Sequence, residues 1–277
     1  MKKSVVALGA MIALAVAGLV YAKATVITVK GSDTMVILAQ RWAEKYMAAH
    51  PDATIQVTGG GSGVGISALI NGTTDICNAS RPMKTAEREK LKVRFASLGV
   101  EIKAARDGLS VYVNEACPVT DLSLAQIKGV YTGEITNWKN LGGPDAKIII
   151  YGRENSSGTY VYFRDFVLKG KDYTPLMQSM PGTAAVVNAV AKDKLGIGYG
   201  GAAYAKGVRF VHVKKDENSP AYEPTAENIK NGKYPITRYL YLYTKSKPAG
   251  PMKDYIDWIL SPEGQALATE VGYFPAK

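Results

Sequence analysis

The run Val26-Ile27-Thr28-Val29-Lys30-Gly31-Ser32-Asp33-Thr34-Met35 changes character halfway along. Strand-forming residues give way to a Gly-Ser-Asp-Thr turn. Over 35–49, Ile37, Leu38, Arg41, Trp42, Lys45 and Tyr46 then recur with a mixed amphipathic helical period. His50-Pro51-Asp52 stops that helix. The same order returns twice. Ile55-Gln56-Val57 leads into Gly59-Gly60-Gly61-Ser62-Gly63 and a short helix through Ile66, Leu69 and Ile70, ended by Asn71-Gly72. A strand over 148–151 leads past Arg153 into Ser156-Ser157-Gly158-Thr159 and a helix over 158–168. Each small-residue turn opens a helix, and a helix start presents unpaired N–H groups and a partial positive charge. Glycine permits close backbone approach, and hydroxyls add donors without adding charge. Three such starts converging with one guanidinium would make a cage for an oxyanion.

The rest of the chain keeps the alternation. Asp75-Ile76-Cys77 begins a strand, and a charged helix follows over 85–97. Further strands are expected at 109–113, 197–199, 210–213 and 239–243, and helices at 123–130, 183–191, 251–260 and 262–270. There is no internal repeat and no low-complexity linker. This pattern predicts an α/β fold with largely parallel sheets covered by helices. Ligands in such folds bind where strand C-termini meet helix N-termini, the place all three turns occupy. Two of the turns lie in the first third of the chain and one in the middle. A cleft between two lobes brings them together most simply.

The first residues have the parts of a cleaved secretory signal peptide. Lys2 and Lys3 precede an apolar run from Val5 to Tyr21, and Ala22-Lys23-Ala24 supplies a small-x-small cleavage site. An uncleaved anchor is the alternative, since the run is about long enough to span a bilayer. With 1–24 read as a signal peptide and no cysteine near the site, the mature protein is expected from Thr25, periplasmic or secreted and without a lipid anchor. Removing 24 of 277 residues leaves 253, enough for two lobes of about 100–150 residues each. Loss of Lys2, Lys3 and Lys23 takes the formal charge from +10 to +7. A basic surface attracts anions. The cations are scattered among acidic residues with no basic block and no nucleic-acid motif, so nucleic acid is not the expected partner. Cys77 and Cys117 form no metal-ligand pattern; one disulfide and two buried thiols both remain open.

The residues do not read as an enzyme. Ser62 lacks the glycine two positions later that a nucleophile elbow requires, because position 64 is valine. His50 beside Pro51 reads as a surface position and His212 as a core strand position, neither with a partner at triad or metal spacing. Acidic residues cluster in no metal-binding pattern. Tyr239, Tyr241 and Tyr243, at period two, read as one face of a strand.

On VKGSDTM, GGGSGVGISALINGTTDICNASRPM, DGLSVYVN, LSLAQIKGVYTGEITNWKNLGG, GRENSSGTY and LSPEGQALATEVGYFP, the chain resembles the phosphate-binding proteins of bacterial ABC phosphate importers. The resemblance spans nearly all of the mature chain. It implies a type II periplasmic binding-protein fold, with mixed, largely parallel sheets in two lobes closing on inorganic phosphate in an inter-lobe cleft. Crossovers are expected near 109–113 and 239–243. Lobe 1 is then 25–108 with 239–277, and lobe 2 is 109–238. Matching positions carry over as phosphate contacts: Thr34 and Met35, the latter through its backbone N–H, then Ser62 with Gly63, and Arg153, Ser156, Ser157, Gly158 and Thr159. Ser32 and Asp33 flank the first of these, and Ser80 and Arg81 complete the candidate set. The implied partner is an inner-membrane ABC permease, the implied state a monomer, and no cofactor or metal is implied.

Two positions depart from the pattern. Arg81 stands where some relatives have an aspartate that accepts the phosphate proton, and Asn155 where some have an aspartate paired with the arginine. The site is therefore expected to be more cationic. Asp33, inside the first turn, is the candidate replacement acceptor, with capping of the following helix as the competing role. Sulfate or another tetrahedral oxyanion, and a structural or sensory role without transport, stay open as alternatives. A phosphatase is disfavoured by the missing nucleophile and metal constellations.

Overall fold

The computed structural model describes residues 25–276, so the expected leader at 1–24 lies outside the described residues. Three βα units open the chain. Strand β1 (Thr25–Gly31) passes through a tight 3-10 turn at Asp33–Met35 into α1 (Val36–Ala49); β2 (Ala53–Thr58) precedes α2 (Ser62–Asn71); and β3 (Ile76–Ala79) precedes α3 (Thr85–Phe95). A long strand, β4 (Val100–Val113), leads to β5 (Asp121–Ser123), α4 (Leu124–Thr132), β6 (Ile149–Arg153) and α5 (Gly158–Phe166). Then come β7 (Gln178–Met180), α6 (Thr183–Lys192), β8 (Gly196–Gly201), β9 (Arg209–Phe210), β10 (His212–Lys214), β11 (Ala221–Tyr222) and α7 (Ala226–Lys230). The return strand β12 (Thr237–Thr244) and helices α8 (Gly250–Leu260) and α9 (Pro262–Val271) finish the fold.

The principal sheet runs β2-β1-β3-β12-β4-β8-β6-β7, with β9 also on β4, and β11-β10-β5 form a small second sheet. Pairings within the βα units (β1 with β2 and β3, β6 with β7 and β8) are parallel, whereas β12 lies antiparallel between β3 and β4. Strand β4 is the crossover. Its residues up to Gly108 pair with β12, and from Leu109 they pair with β8. One strand therefore belongs to two lobes, and each lobe has its own apolar core. In the first, Ile27, Val29, Leu38, Trp42 and Ile55 pack with Leu240, Tyr255 and Ile259. In the second, Leu109, Val111, Val130, Tyr131, Phe163, Ile197 and Tyr199 come together. Burying side chains of this size contributes about 1.5–3 kcal/mol each, so both lobes are stabilised independently of the seam between them.

Two packing arrangements set the site. The Trp42 indole donates to Gly264 O at 2.8 Å, tying α1, and hence the turn before it, to α9. The Phe163 ring stacks on Tyr199 at 4.1 Å and meets Tyr131 edge-on at 4.9 Å, which seats α5 on β8 and α4. The Tyr239, Tyr241 and Tyr243 rings line one face of β12, as their spacing predicts. Strand β6 extends to Arg153, so the arginine ends the strand rather than following it. His212 is a correction: it is half-exposed and pairs with Glu223 at 2.8 Å instead of lying in the core. Cys77 and Cys117 are both buried free thiols, and burial raises the pKa of each.

Candidate functional site

The three helix starts meet at one seam between the lobes. In the first, Ser32 N–H donates to Asn78 O at 2.9 Å and Met35 N–H donates to Ser32 O at 2.9 Å, closing a tight turn. Met35 drops its side chain into the first core and fixes where Thr34 points. The second start is tied to the first by Gly61 N–H to Gly31 O at 2.9 Å. Gly61 has φ +94°, and a Cβ there would stand 2.8 Å from Ser156 O of the other lobe, so this position requires glycine. The third start is capped by Ser157, whose Oγ accepts from Thr159 N at 3.1 Å and Tyr160 N at 3.3 Å. Gly63 N–H crosses the seam to Ser156 O at 2.9 Å.

Four hydroxyls gather between these starts, and Thr34, Ser62, Ser80 and Thr159 are all fully buried. Thr34 Oγ1 and Thr159 Oγ1, from opposite lobes, are 2.8 Å apart, and Ser62 Oγ and Ser80 Oγ are 3.2 Å apart. Part of the proton wiring is fixed. Ser62 Oγ accepts from Ser80 N at 3.0 Å, and Thr159 Oγ1 accepts from Arg238 Nη2 at 3.0 Å. A hydroxyl that accepts from an obligate donor still has its own proton to give. Ser62 and Thr159 are thus set up as donors into the seam. Among the described residues, the N–H groups of Thr34, Ser62 and Gly158 make no hydrogen bond within the protein.

The charge comes from Arg153, a guanidinium that is 2 % exposed. Its Nη1 donates to Thr183 Oγ1 at 2.8 Å, its Nη2 to Asp33 Oδ2 at 2.6 Å, and its buried Nε has no protein partner. Burial pulls its pKa down while the Asp33 carboxylate and the Tyr199 hydroxyl push it back up. An arginine remains charged under such shifts. Asp33 also accepts from Gly60 N at 2.7 Å through Oδ1, so it pins the glycine loop and pairs with the cation across the seam. No side-chain cap from Asp33 to its own helix forms.

Most of the expected residues therefore converge, with three corrections. Met35 N–H is spent on Ser32 O and is not a free donor. Arg81 does not add net charge to the site: its terminal nitrogens make a forked pair with Glu87 at 2.8 and 2.7 Å, and one also donates to Pro82 O at 2.9 Å. Asn155 is exposed, and the carboxylate that pairs with Arg153 is Asp33 from the other lobe. Several residues were missed by sequence reasoning. Arg238 and Asp107 form a buried ion pair at 2.7 Å beside Thr159, Thr183 orients Arg153, and Tyr204 donates to Asp33 O at 2.6 Å. Arg238, the one charged residue in β12, was the available signal for the pair; Asp107 is one of four charged residues in β4 and does not stand out.

Two lobes joined by crossover strands, with buried hydroxyls and the Arg153 guanidinium gathered between them, describe a cleft-type binding protein. Residues 21–263 match the PBP superfamily domain. The chain is 32% identical over 262 residues to the phosphate-binding protein PstS of Pseudomonas aeruginosa, covering 88% of this chain and 81% of the relative. It is 34% identical over 251 residues to PstS of Bacillus subtilis, covering 90% and 80%. A substrate-binding protein of Clostridium perfringens, solved with bound phosphate, superposes with a TM-score of 0.83 at 32% identity, covering 91% of this chain and 100% of that one. An ABC-type phosphate transport receptor from Vibrio cholerae does so with a TM-score of 0.72 at 31% identity, covering 90% and 99%. The chain belongs to the PBP superfamily and, within it, to the family of the PstS phosphate-binding proteins.

Proposed function

We propose that this protein captures inorganic phosphate between its lobes and delivers it to an ABC-type permease, without covalent chemistry. One observation carries the reading: a 2 % exposed arginine from one lobe meets the first helix start of the other, beside four fully buried hydroxyls. Such a seam replaces an anion's hydration with charge-assisted hydrogen bonds of fixed direction. The contacts come from Thr34, Ser62 and Ser80 on one side and Arg153, Ser157, Gly158 and Thr159 on the other. A ligand that touches both sides favours the closed arrangement, which is a hinge-type population shift.

Asp33 supplies the acceptor for the protonated oxygen of phosphate. Each of its oxygens accepts one bond, and a carboxylate has about four lone-pair sites, so capacity for a further donor remains. Sulfate has no proton to give at neutral pH and meets only repulsion there. The lobes divide as 25–108 with 239–277, and 109–238, a division supported by the change of partner along β4 after Gly108; β12 itself begins two residues earlier, at Thr237. The setting is extracytoplasmic, in keeping with the named roles of the relatives, and no helix among the described residues is long and apolar enough to cross a membrane. We read the protein as a monomeric carrier rather than an enzyme or a nucleic-acid binder. Calorimetric titration of the purified protein with phosphate and sulfate in parallel tests this reading. Saturable phosphate binding that sulfate does not match is expected; absence of phosphate binding, or tighter sulfate, would end the proposal.

A further inference from the structure

We propose that Arg238 is a positioning residue that couples the hinge to the anion, holding both lobes through one guanidinium and directing the Thr159 proton into the cleft. The proposal rests on the phosphate reading above and adds a residue outside the expected contact set. Arg238 and Asp107 are opposite one another in the antiparallel β12–β4 pairing, two residues before β4 changes partners at Leu109. Asp107 is 1 % exposed and its Oδ2 accepts from Arg238 Nε at 3.0 Å and Nη2 at 2.7 Å. This leaves the far side of the guanidinium for two further bonds. Nη1 donates to Ser80 O of the first lobe at 3.1 Å, and Nη2 donates to Thr159 Oγ1 of the second at 3.0 Å.

The chemistry of these partners gives the arrangement direction. A guanidinium only donates, so Thr159 Oγ1 must accept from it and spend its own proton elsewhere. Its neighbours on that side are Thr34 Oγ1 and Ser80 Oγ, the hydroxyls of the proposed site. Tyr162, one helical turn after Thr159 on α5, places its ring 5.4 Å from the same guanidinium and donates to Thr237 O at 2.7 Å. The first turn of α5 therefore rests on the hinge residue. If the lobes separate, Ser80 travels with one and Thr159 with the other, and a single planar fork cannot follow both. A buried ion pair is weak evidence for stability, since an apolar pair of equal volume often serves as well. Its two remaining donors, shared between the lobes, are what an apolar pair would lack.

The test combines Arg238→Lys, Thr159→Val and the double variant in phosphate calorimetry. A pair of fluorophores on V64C and L176C reports lobe separation; both parent residues are exposed, and the native thiols are buried. Arg238→Lys keeps a charge for Asp107 but loses the fork. Each single variant is expected to weaken phosphate about tenfold or more, the scale of one hydrogen bond to a charged group. The double variant should be no weaker than Thr159→Val alone, because both act through the same hydroxyl. Independent, additive losses, or unchanged affinity in Arg238→Lys, overturn the proposal. A merely structural pair would instead lower the melting temperature and leave the coupling to Thr159 at zero. Should Arg238→Lys fail to fold, the volume-matched Asp107→Leu/Arg238→Met pair takes its place in the same cycle with the same expectations. If the wild-type protein binds no phosphate, the functional reading fails on its own. The fluorophore distance then decides the hinge role: Arg238→Lys must widen the ligand-free separation, and an unchanged separation rejects it.

Discussion

Replacing Arg153 with alanine removes the one cation that reaches the seam from β6 and exposes what it was holding. The side chain is 2 % exposed and bonded to Thr183 and Asp33, with Nε free of protein partners. Two losses act in the same direction on an anion. Truncating one partner of a buried, hydrogen-bonded charge pair costs about 2–5 kcal/mol. That is a roughly thirtyfold to several-thousandfold loss of phosphate affinity. In addition, Asp33 is left as an uncompensated carboxylate facing a dianion where solvent screening is weak. Calorimetry on Arg153→Ala should therefore show at least a thirtyfold weaker phosphate complex, by the same conversion. The Arg153→Ala/Asp33→Asn double variant should recover part of the loss, since it removes the stranded charge. A loss of tenfold or less in a protein with unchanged circular dichroism would refute the placement of Arg153 at the anion. A double variant no better than the single would refute the repulsive contribution.

Asp33→Asn alone should weaken phosphate relative to sulfate by about tenfold or more, the worth of one charge-assisted hydrogen bond; identical relative affinities in competition calorimetry reject the acceptor role. Gly158→Ala should largely abolish binding while the lobes stay folded, because the new Cβ would overlap Ser62 Oγ and stand 2.7 Å from Ser80 Oγ across the seam. Wild-type affinity in that variant would show that the lobes do not close as described. Glu87 gives a pH test: burial pushes its pKa up, but the Arg81 fork and the Lys84 N–H outweigh this and hold it below the usual carboxylate range. A depressed folded pKa contributes stability that is present above the unfolded value, about 4.3, and is lost as pH falls through the folded one. Glu87→Gln should accordingly lower the melting temperature at neutral pH by several degrees, at about 2–4 °C per kcal/mol, with the difference narrowing in acid. A gap as wide at pH 3 as at pH 7 counts against the pair.

How far the chain could be read in advance depended on the range of the interaction. Helix starts were legible because Gly31 to Thr34, Gly59 to Gly63 and Ser156 to Thr159 act through local backbone chemistry that composition displays directly. Convergence of the three was legible only from their shared place in the α/β pattern. Pairings between distant residues were hidden. Asp33 meets Arg153 across 120 positions and Asp107 meets Arg238 across 131. Those contacts depend on which strand of one lobe continues into the other, which periodicity does not encode. Arg81 was misplaced for a nearer reason. Its partner Glu87 is at the third position of α3, where its carboxylate also accepts from Lys84 N at 2.7 Å, so one acidic residue serves both the helix start and the arginine. Arg81 stands where some relatives have an aspartate, but the carboxylate at the start of α3 engages it instead.

The contacts across the seam bear on how the proposed phosphate ligand would set the arrangement of the lobes. Thr34 with Thr159, Gly63 with Ser156, Asp33 with Arg153 and Tyr204 with Asp33 O are all polar. Each such contact is worth a net 0.5–1.5 kcal/mol, or about 1.5–3 where a charge takes part, because water offers comparable partners when the lobes part. Most large apolar side chains instead lie within the core of their own lobe, although Phe274 of the first lobe packs against the second core. On these figures the four contacts together are worth about 3–7.5 kcal/mol, a balance that a bound ligand can tip. Within so shallow a balance, a ligand that adds several charge-assisted bonds to both sides at once becomes the deciding contribution. A more apolar seam would hold the lobes shut whether or not an anion had entered, and would leave a permease nothing to distinguish loaded from unloaded protein.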